Sequence, residues 1–296
     1  MKHLFSDLFI FEMANNHQGS LAHGLQIVRA MGAIARRHGI NAGVKMQYRD
    51  LDTFIHPQYR ERTDLPHIPR FLNTRLDEGE FRVLADAIRD EGMVTVCTPF
   101  DESSVETAVG HDVQILKVAS CSADDWPLLE AVAAANKPVV VSTGGLSLRD
   151  IDSLARFLSH QGVDYALLHC VAMYPSPHHA LQLNFLSRLI RRYPDVPIGY
   201  SGHEAPGDTD VVKMAVAKGA SILERHVGIP CDDAPLNAYS LAPDQADAYK
   251  IKIGYNPVAG TRRTVVAPSE WWKVLAVLAL GVVCLEWYIY NRRVYI

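Results

Sequence analysis

Eight short β-branched or apolar runs, separated by longer stretches with helical spacing, leave this chain of 296 residues few folds to choose from. The runs fall at residues 8–14, 42–47, 93–98, 113–120, 138–143, 164–170, 196–201 and 220–226. Between them lie amphipathic segments such as "LAHGLQIVRAMGAIARRHG" and "EGEFRVLADAIRDEG". Gly39, Gly92, Gly162 and Gly219 stand just before the next run, where a helix needs a stop. A βα unit repeated about eight times over roughly 250 residues predicts an α/β fold, the (β/α)8 TIM barrel. The main rival, a doubly wound open sheet, would carry a Gly-rich phosphate loop after an early strand. Only "GGLS" at 144–147 approaches one, and weakly.

The polar residues gather at the C-terminal ends of the predicted strands. They are Glu12; Lys45 and Gln47; Thr98; Lys117 and Ser120; Ser142; Tyr174; Ser201 and His203; and Glu224 and His226. In a barrel these ends meet on one face, where the βα loops build the active site. A strand-end Ser or Thr is by itself more often a cap or turn residue than a ligand. Lys45 in "AGVKMQ" and Lys117 in "ILKVAS" are harder to dismiss. Burying an ammonium without an anion is costly, so two such lysines at one mouth imply an anionic ligand, phosphate or carboxylate. The stretch "ASILERHVG" runs from apolar residues into Glu224, Arg225 and His226. On adjacent barrel strands His203 and His226 would share a rim, and two His plus water hold a divalent metal, although a lone His is more often structural. Glu224, two residues from His226, shares its face and is read as a partner of that site or a sugar-binding group.

Composition narrows the partners. Net charge is −4, from 29 Lys+Arg against 33 Asp+Glu, so a nucleic-acid binder is not expected. The five Cys show no zinc or CxxC spacing and no disulfide framework, which favours a reducing compartment. Cys97 and Cys170 are read as reduced core residues. No apolar run suited to a signal peptide opens the chain, and a cytoplasmic location is expected. The other end differs in kind. Val274 to Leu285 is uninterrupted apolar sequence, flanked by Trp271 and Trp272 and by Trp287, Tyr288 and Tyr290, with Arg292 and Arg293 beyond. A full span takes roughly 20 apolar residues, reached here only if Lys273 and Glu286 snorkel. Two readings stand: membrane attachment through residues 271–290, which is preferred, and a soluble apolar helix docked on the barrel or a partner. The organisation expected is a barrel domain over 1–253, a Gly- and Pro-containing linker over 254–270, and a C-terminal apolar helix over 271–296.

Taken in order, "FEMANNHQGS" (11–20), "VKMQ" (44–47), "CTPFDE" (97–102), "LKVASC" (116–121), "STGG" (142–145), "LLHCVAMYPSP" (167–177), "GYSGHE" (199–204) and "ILERH" (222–226) form a specific set. Over about residues 8 to 250 the chain resembles the sialic acid synthase family, the N-acetylneuraminate synthases and their bacterial relatives. The resemblance implies condensation of phosphoenolpyruvate with an N-acetylmannosamine-like aldose, giving a nonulosonic keto sugar acid and phosphate. It implies that Lys45, Thr98, Lys117, Ser120, Ser142 and Ser201 hold phosphoenolpyruvate. Gln47, Tyr174 and Asn237 would contact the sugar, and Glu12 and Glu224 would position groups at the reacting centre. His203 and His226 would bind Mn2+ or Mg2+.

The chain also departs from the pattern. Ala172 and Met173 stand where the family usually has Asn and Glu, Cys121 and Ser122 where it has Gly and Glu, Gly202 where it has Asp, and Asn237 where an Asp is expected. These changes concern sugar contacts, so a different acceptor is expected. The small antifreeze-like domain that usually follows the barrel, and through which family members commonly form homodimers, is not expected here; a homodimer without it stays open. Two other functions compete: a metal-dependent aldolase or isomerase, which would not need both lysines, and a non-catalytic membrane-tethered sugar-binding or scaffold protein derived from a synthase.

Overall fold

Side chains alternate between the two faces of a strand, so a closed sheet sorts each run into an inward and an outward row. The computed structural model describes residues 4–231 and 235–249. The linker at 254–270 and the apolar segment at 271–296, with its proposed membrane attachment, lie outside the described residues. The strands are β1 (Leu8–Glu12), β2 (Asn41–Tyr48), β3 (Val94–Pro99), β4 (Ile115–Val118), β5 (Val139–Ser142), β6 (Tyr165–Cys170), β7 (Ile198–Gly202) and β8 (Ile222–His226). They pair in parallel in chain order, and β8 closes on β1. The (β/α)8 barrel is therefore the fold. The run at 113–120 shortens to β4, because Ser120–Ser122 turns into a short 3-10 helix at the barrel rim.

The inward row has two storeys. Leu8, Ile10, Val96, Ile115, Val140 and Ile222 fill the lower barrel as one buried apolar cluster. Two residues further along the same strands stand Glu12, Thr98, Lys117, Ser142 and Glu224. The outward row, including Phe11, Val44, Met46, Leu116 and Val141, packs with Ile27, Met31 and Ile34 of the helix Leu21–His38 in a second cluster. Gly199 faces the tightest part of the lower storey. A Cβ there would lie 2.5 Å from both the Ile222 carbonyl oxygen and Leu168 Cδ2, so no larger residue fits.

The helices start and stop where local chemistry dictates. Ser20 Oγ accepts from His23 N at the first turn of Leu21–His38, and Gly39 ends it at φ +59°, a left-handed conformation that an L side chain resists. Asp77 and Glu80 form a capping box for Glu78–Asp90, as Ser147 and Asp150 do for Leu148–His160. Among the described residues no helix is long and apolar enough to cross a membrane.

Candidate active site

The strand β8 resolves the row of three ionisable residues. Ile222, Glu224 and His226 face the barrel interior, and Leu223 and Arg225 face the helices. Arg225 is 1% exposed. It ion-pairs with Glu204, donates from Nη2 to the Glu204 carbonyl at 2.7 Å, and lies 5.5 Å from the Tyr249 ring centroid. Tyr200 donates to the same carboxylate at 2.9 Å. The middle residue of the three is thus a strut of the outer layer. The same contact accounts for Gly202, since a Cβ there would lie 2.5 Å from Glu204 Oε2. Packing against Glu204 thus gives a physical reason for glycine at this altered position.

Above the apolar storey the strand ends open into a cavity of about 850 Å³. Every residue read as a catalytic, substrate-binding or metal-binding candidate lines it except Asn237. Asn237 turns its Oδ1 to the backbone N–H of Tyr239, and Tyr239 faces the cavity instead. Cys170, read as a core residue, is buried and also forms part of the wall; Cys121 and Ser122 line it too. Met173, at another altered position, is 45% exposed and outside the lining.

The floor is a charged cluster out of contact with bulk water. Lys45 bridges two carboxylates, pairing with Glu12 and with Glu224 at 2.7 Å. The register explains this, since Glu12 is opposite both Lys45 and His226 in the closed sheet. Burial lowers the Lys45 pKa to about 8, against the opposing pull of Glu224. Burial pushes Glu224 upward, but Lys117, Lys45 and the Ser201 hydroxyl outweigh it and hold the carboxyl well below its usual range. Ser201 donates to Glu224 Oε1 at 2.8 Å. Lys117, 2% exposed, differs from Lys45. Its Nζ donates to Ser142 Oγ at 2.6 Å and to the Val118 carbonyl at 3.1 Å, and among the described residues no carboxylate pairs with it. Glu224 acts on Lys117 without a direct ion pair, and an ammonium hydrogen-bonded only to neutral oxygens leaves a place for an anion from outside the chain.

His203 and His226 stand on neighbouring elements with ring centroids 5.4 Å apart. Burial lowers His203 to about 4 and pushes His226 well below its normal value, so both imidazoles are neutral at pH 7. The Nδ1 atom of each is buried without a hydrogen-bond partner. Two neutral imidazoles, each with a buried and unpartnered Nδ1, fit a divalent cation. Among the described residues no third His, Cys, Asp or Glu joins them in a cluster that could hold a metal ion. Tyr174 and Tyr239 pack against the pair, with centroids 4.3 Å from His203 and 4.9 Å from His226.

The outer wall was not foreseen. Arg49 continues the inward period of Lys45 and Gln47 one step past the end of β2, a signal the sequence carried. Its guanidinium carbon lies 3.8 Å and 4.5 Å from the Phe100 and Phe71 centroids. Arg70, from the helix His67–Asn73, lines the same wall. Gln47 couples wall to floor, since its Oε1 accepts from Arg49 at 2.8 Å and its Nε2 donates to Glu12 at 3.4 Å.

This geometry has relatives. Residues 33–250 match the NeuB family. An uncharacterized protein of Methanocaldococcus jannaschii is 30% identical over 264 residues, 88% of this chain and 74% of the relative. An N-acetylneuraminate-9-phosphate synthase of Drosophila melanogaster is 39% identical over 127 residues, 43% of this chain and 34% of the relative. Among solved structures, a spore coat polysaccharide biosynthesis protein E from Chromobacterium violaceum superposes with TM-score 0.83 at 41% identity, covering 87% of this chain and 79% of that one. The matches therefore span between about a third and four fifths of the length of these relatives.

Proposed function

The chain belongs to the NeuB family, and from that membership and the charge pattern of the cavity we propose that it joins phosphoenolpyruvate to an N-acetylated, N-acetylmannosamine-like aldose. The products are a nonulosonic keto sugar acid and inorganic phosphate. The single observation that carries this reading is Lys117, a buried ammonium in no direct ion pair among the described residues, one storey above an apolar plug and beside a row of hydroxyls. Phosphoenolpyruvate brings both a phosphate and a carboxylate, which suit Lys117 with Ser142, Ser120 and Thr98 as neutral donors. The printed names of relatives, N-acetylneuraminate-9-phosphate synthase among them, support a sugar acid synthesis in general.

In the reaction the C3 carbon of phosphoenolpyruvate attacks the aldehyde carbon of the open-chain sugar, and the carbonyl oxygen becomes a hydroxyl by taking a proton. Water adds at C2, giving a tetrahedral centre, and the C2–O bond to phosphate breaks as the keto group forms. The balance is one water consumed and one phosphate released. Lys117 neutralises the departing phosphate, and Ser142, already oriented by it, donates to the same anion. Glu12 and Glu224 hold Lys45 between them, and Glu12 Oε1 is itself held by the Ala14 N–H at 2.7 Å. This fixed trio positions a proton carrier at the junction of the two substrates. Gln47 and Tyr174, which line the cavity, would contact the sugar. His203 and His226 would hold Mn2+ or Mg2+, which when bound supplies Lewis-acid polarisation of the sugar carbonyl. Enclosing both reactants in one pocket removes much of the encounter entropy.

The test is phosphate release from phosphoenolpyruvate by the full chain with N-acetylmannosamine-type sugars. Release that requires the sugar supports the reading; cleavage of a sugar acid without phosphate chemistry would favour an aldolase instead.

A further inference from the structure

The sheet pairing between β7 and β8 ends with Gly202 opposite Arg225. His203 therefore stands one residue past the last ladder pair, while His226 is the last residue of β8. The ladder alone does not fix the spacing of the two imidazoles. On the outer side of the same place lies a second charged cluster, which the condensation steps do not use. Glu204 follows His203 in the chain and Arg225 precedes His226, and the two are 0% and 1% exposed. They form an ion pair, and Arg225 Nη2 also donates to the Glu204 carbonyl at 2.7 Å. One guanidinium thus grips both the side chain and the main chain of the residue after His203. Tyr200 donates to the same carboxylate at 2.9 Å. Tyr249 closes the outer side, its ring centroid 5.5 Å from the guanidinium carbon and its hydroxyl donating to the Pro206 carbonyl at 3.3 Å.

A buried ion pair is weak evidence for stability, because desolvating two charges offsets most of their attraction. Well-packed apolar side chains would fill the same layer. They would not supply a directional, two-pronged grip on one carboxylate and one carbonyl. We propose that Arg225 and Glu204 are positioning residues for metal binding. Their contacts tie the backbone of His203 to β8, so that the His203 and His226 imidazoles keep the spacing a divalent cation needs. This rests on the reading of those two imidazoles as metal ligands given above. The other ties on His203 are the Ser176 N–H, which donates to its carbonyl at 2.9 Å, and the rings of Tyr174 and Tyr239. Tyr239 also packs against His226, but ring contacts tolerate sliding that hydrogen bonds resist. A ligand constellation has to be held to within about 0.5 Å, which is the task assigned to the pair.

The experiment uses the full chain with Mn2+ alone, free Mn2+ being counted by electron paramagnetic resonance. Co2+ serves as a coloured substitute whose visible absorption reports ligand geometry. The unaltered chain is expected to bind Mn2+ at a site that His203→Ala abolishes. The paired variant Glu204→Leu, Arg225→Met is expected to unfold in urea near the unaltered midpoint, yet to bind Mn2+ about 10- to 100-fold more weakly and to shift the Co2+ spectrum. Its phosphate release is expected to return with excess Mn2+, which separates a positioning pair from a ligand. Arg225→Lys keeps the charge without the two-pronged grip and is expected to weaken Mn2+ binding by less than the paired variant does. An Mn2+ affinity and Co2+ spectrum equal to those of the unaltered chain overturn the proposal, read in the paired variant if it folds and in Arg225→Lys if it does not. Absence of His203-dependent Mn2+ binding in the unaltered chain overturns the metal reading and the proposal with it. Mn2+ binding that the paired variant weakens, without phosphate release by the unaltered chain, would sink the condensation reading and leave the positioning pair standing.

Discussion

Lys117 and Lys45 show how the same residue type serves two ends. Lys45 is in direct ion pairs with two carboxylates of the chain, whereas Lys117 hydrogen-bonds only to neutral oxygens and interacts with Glu224 without a direct ion pair. Lys117→Ala is therefore expected to raise the KM for phosphoenolpyruvate by about 10- to 100-fold, the worth of one charge-assisted contact. Steady-state kinetics checks this, and an unchanged KM would move the phosphate elsewhere. His203→Ala removes one of two neutral imidazoles with orphaned Nδ1 atoms. Activity is expected to fall and not to return with excess Mn2+, while circular dichroism and melting temperature stay near those of the unaltered chain. Full activity in His203→Ala would refute the metal assignment.

Among the elements, β8 carries the most information in the fewest residues. Its inward row supplies the plug, a carboxylate and an imidazole, and its outward row supplies the Arg225 strut. Arg225→Met leaves Glu204 buried at 0% exposure without its cation, so a loss of about 3–5 kcal/mol is expected in urea unfolding. A double change that also replaces Glu204 by Leu should recover much of it, and a Glu204→Leu, Arg225→Met pair as unstable as the single variant would contradict the strut. Period-two alternation made the polar strand ends legible in the sequence, because barrel closure brings every such end to one mouth. The outer wall was less legible. Arg49 lies just past a strand end, Arg70 on a helix that only the fold carries over the cavity, and Tyr239 in a loop without periodicity. The partnership of Arg225 with Glu204 crosses 21 positions and two elements, with no local pattern to announce it. Asn237 stands apart from the cavity lining for a similar reason: loop geometry turns its Oδ1 to a backbone N–H.

For the molecule as a whole, acid is the natural stress. His17 is buried against Phe81, its Nδ1 accepting from Gly19 N at 3.2 Å, and burial followed by the nearby His23 lowers its pKa to about 4. The unfolded chain binds that proton near pH 6.5 and the folded chain does not, so stability is complete above 6.5 and falls as pH drops toward 4. The loss from this one group is about 3 kcal/mol. Urea unfolding of the unaltered chain and His17→Asn at pH 7 and pH 4.5 checks the sign; identical pH dependence in both would contradict it. On the proposed reading the barrel mouth acts as one unit, with floor, imidazole pair and outer wall lining one cavity. The most direct measurement is inorganic phosphate released from phosphoenolpyruvate by the full chain, with N-acetylmannosamine-type sugars, in Mn2+ and in EDTA. The account predicts sugar-dependent release that EDTA abolishes; no release with any of these sugars in Mn2+, or equal release in EDTA, would contradict it.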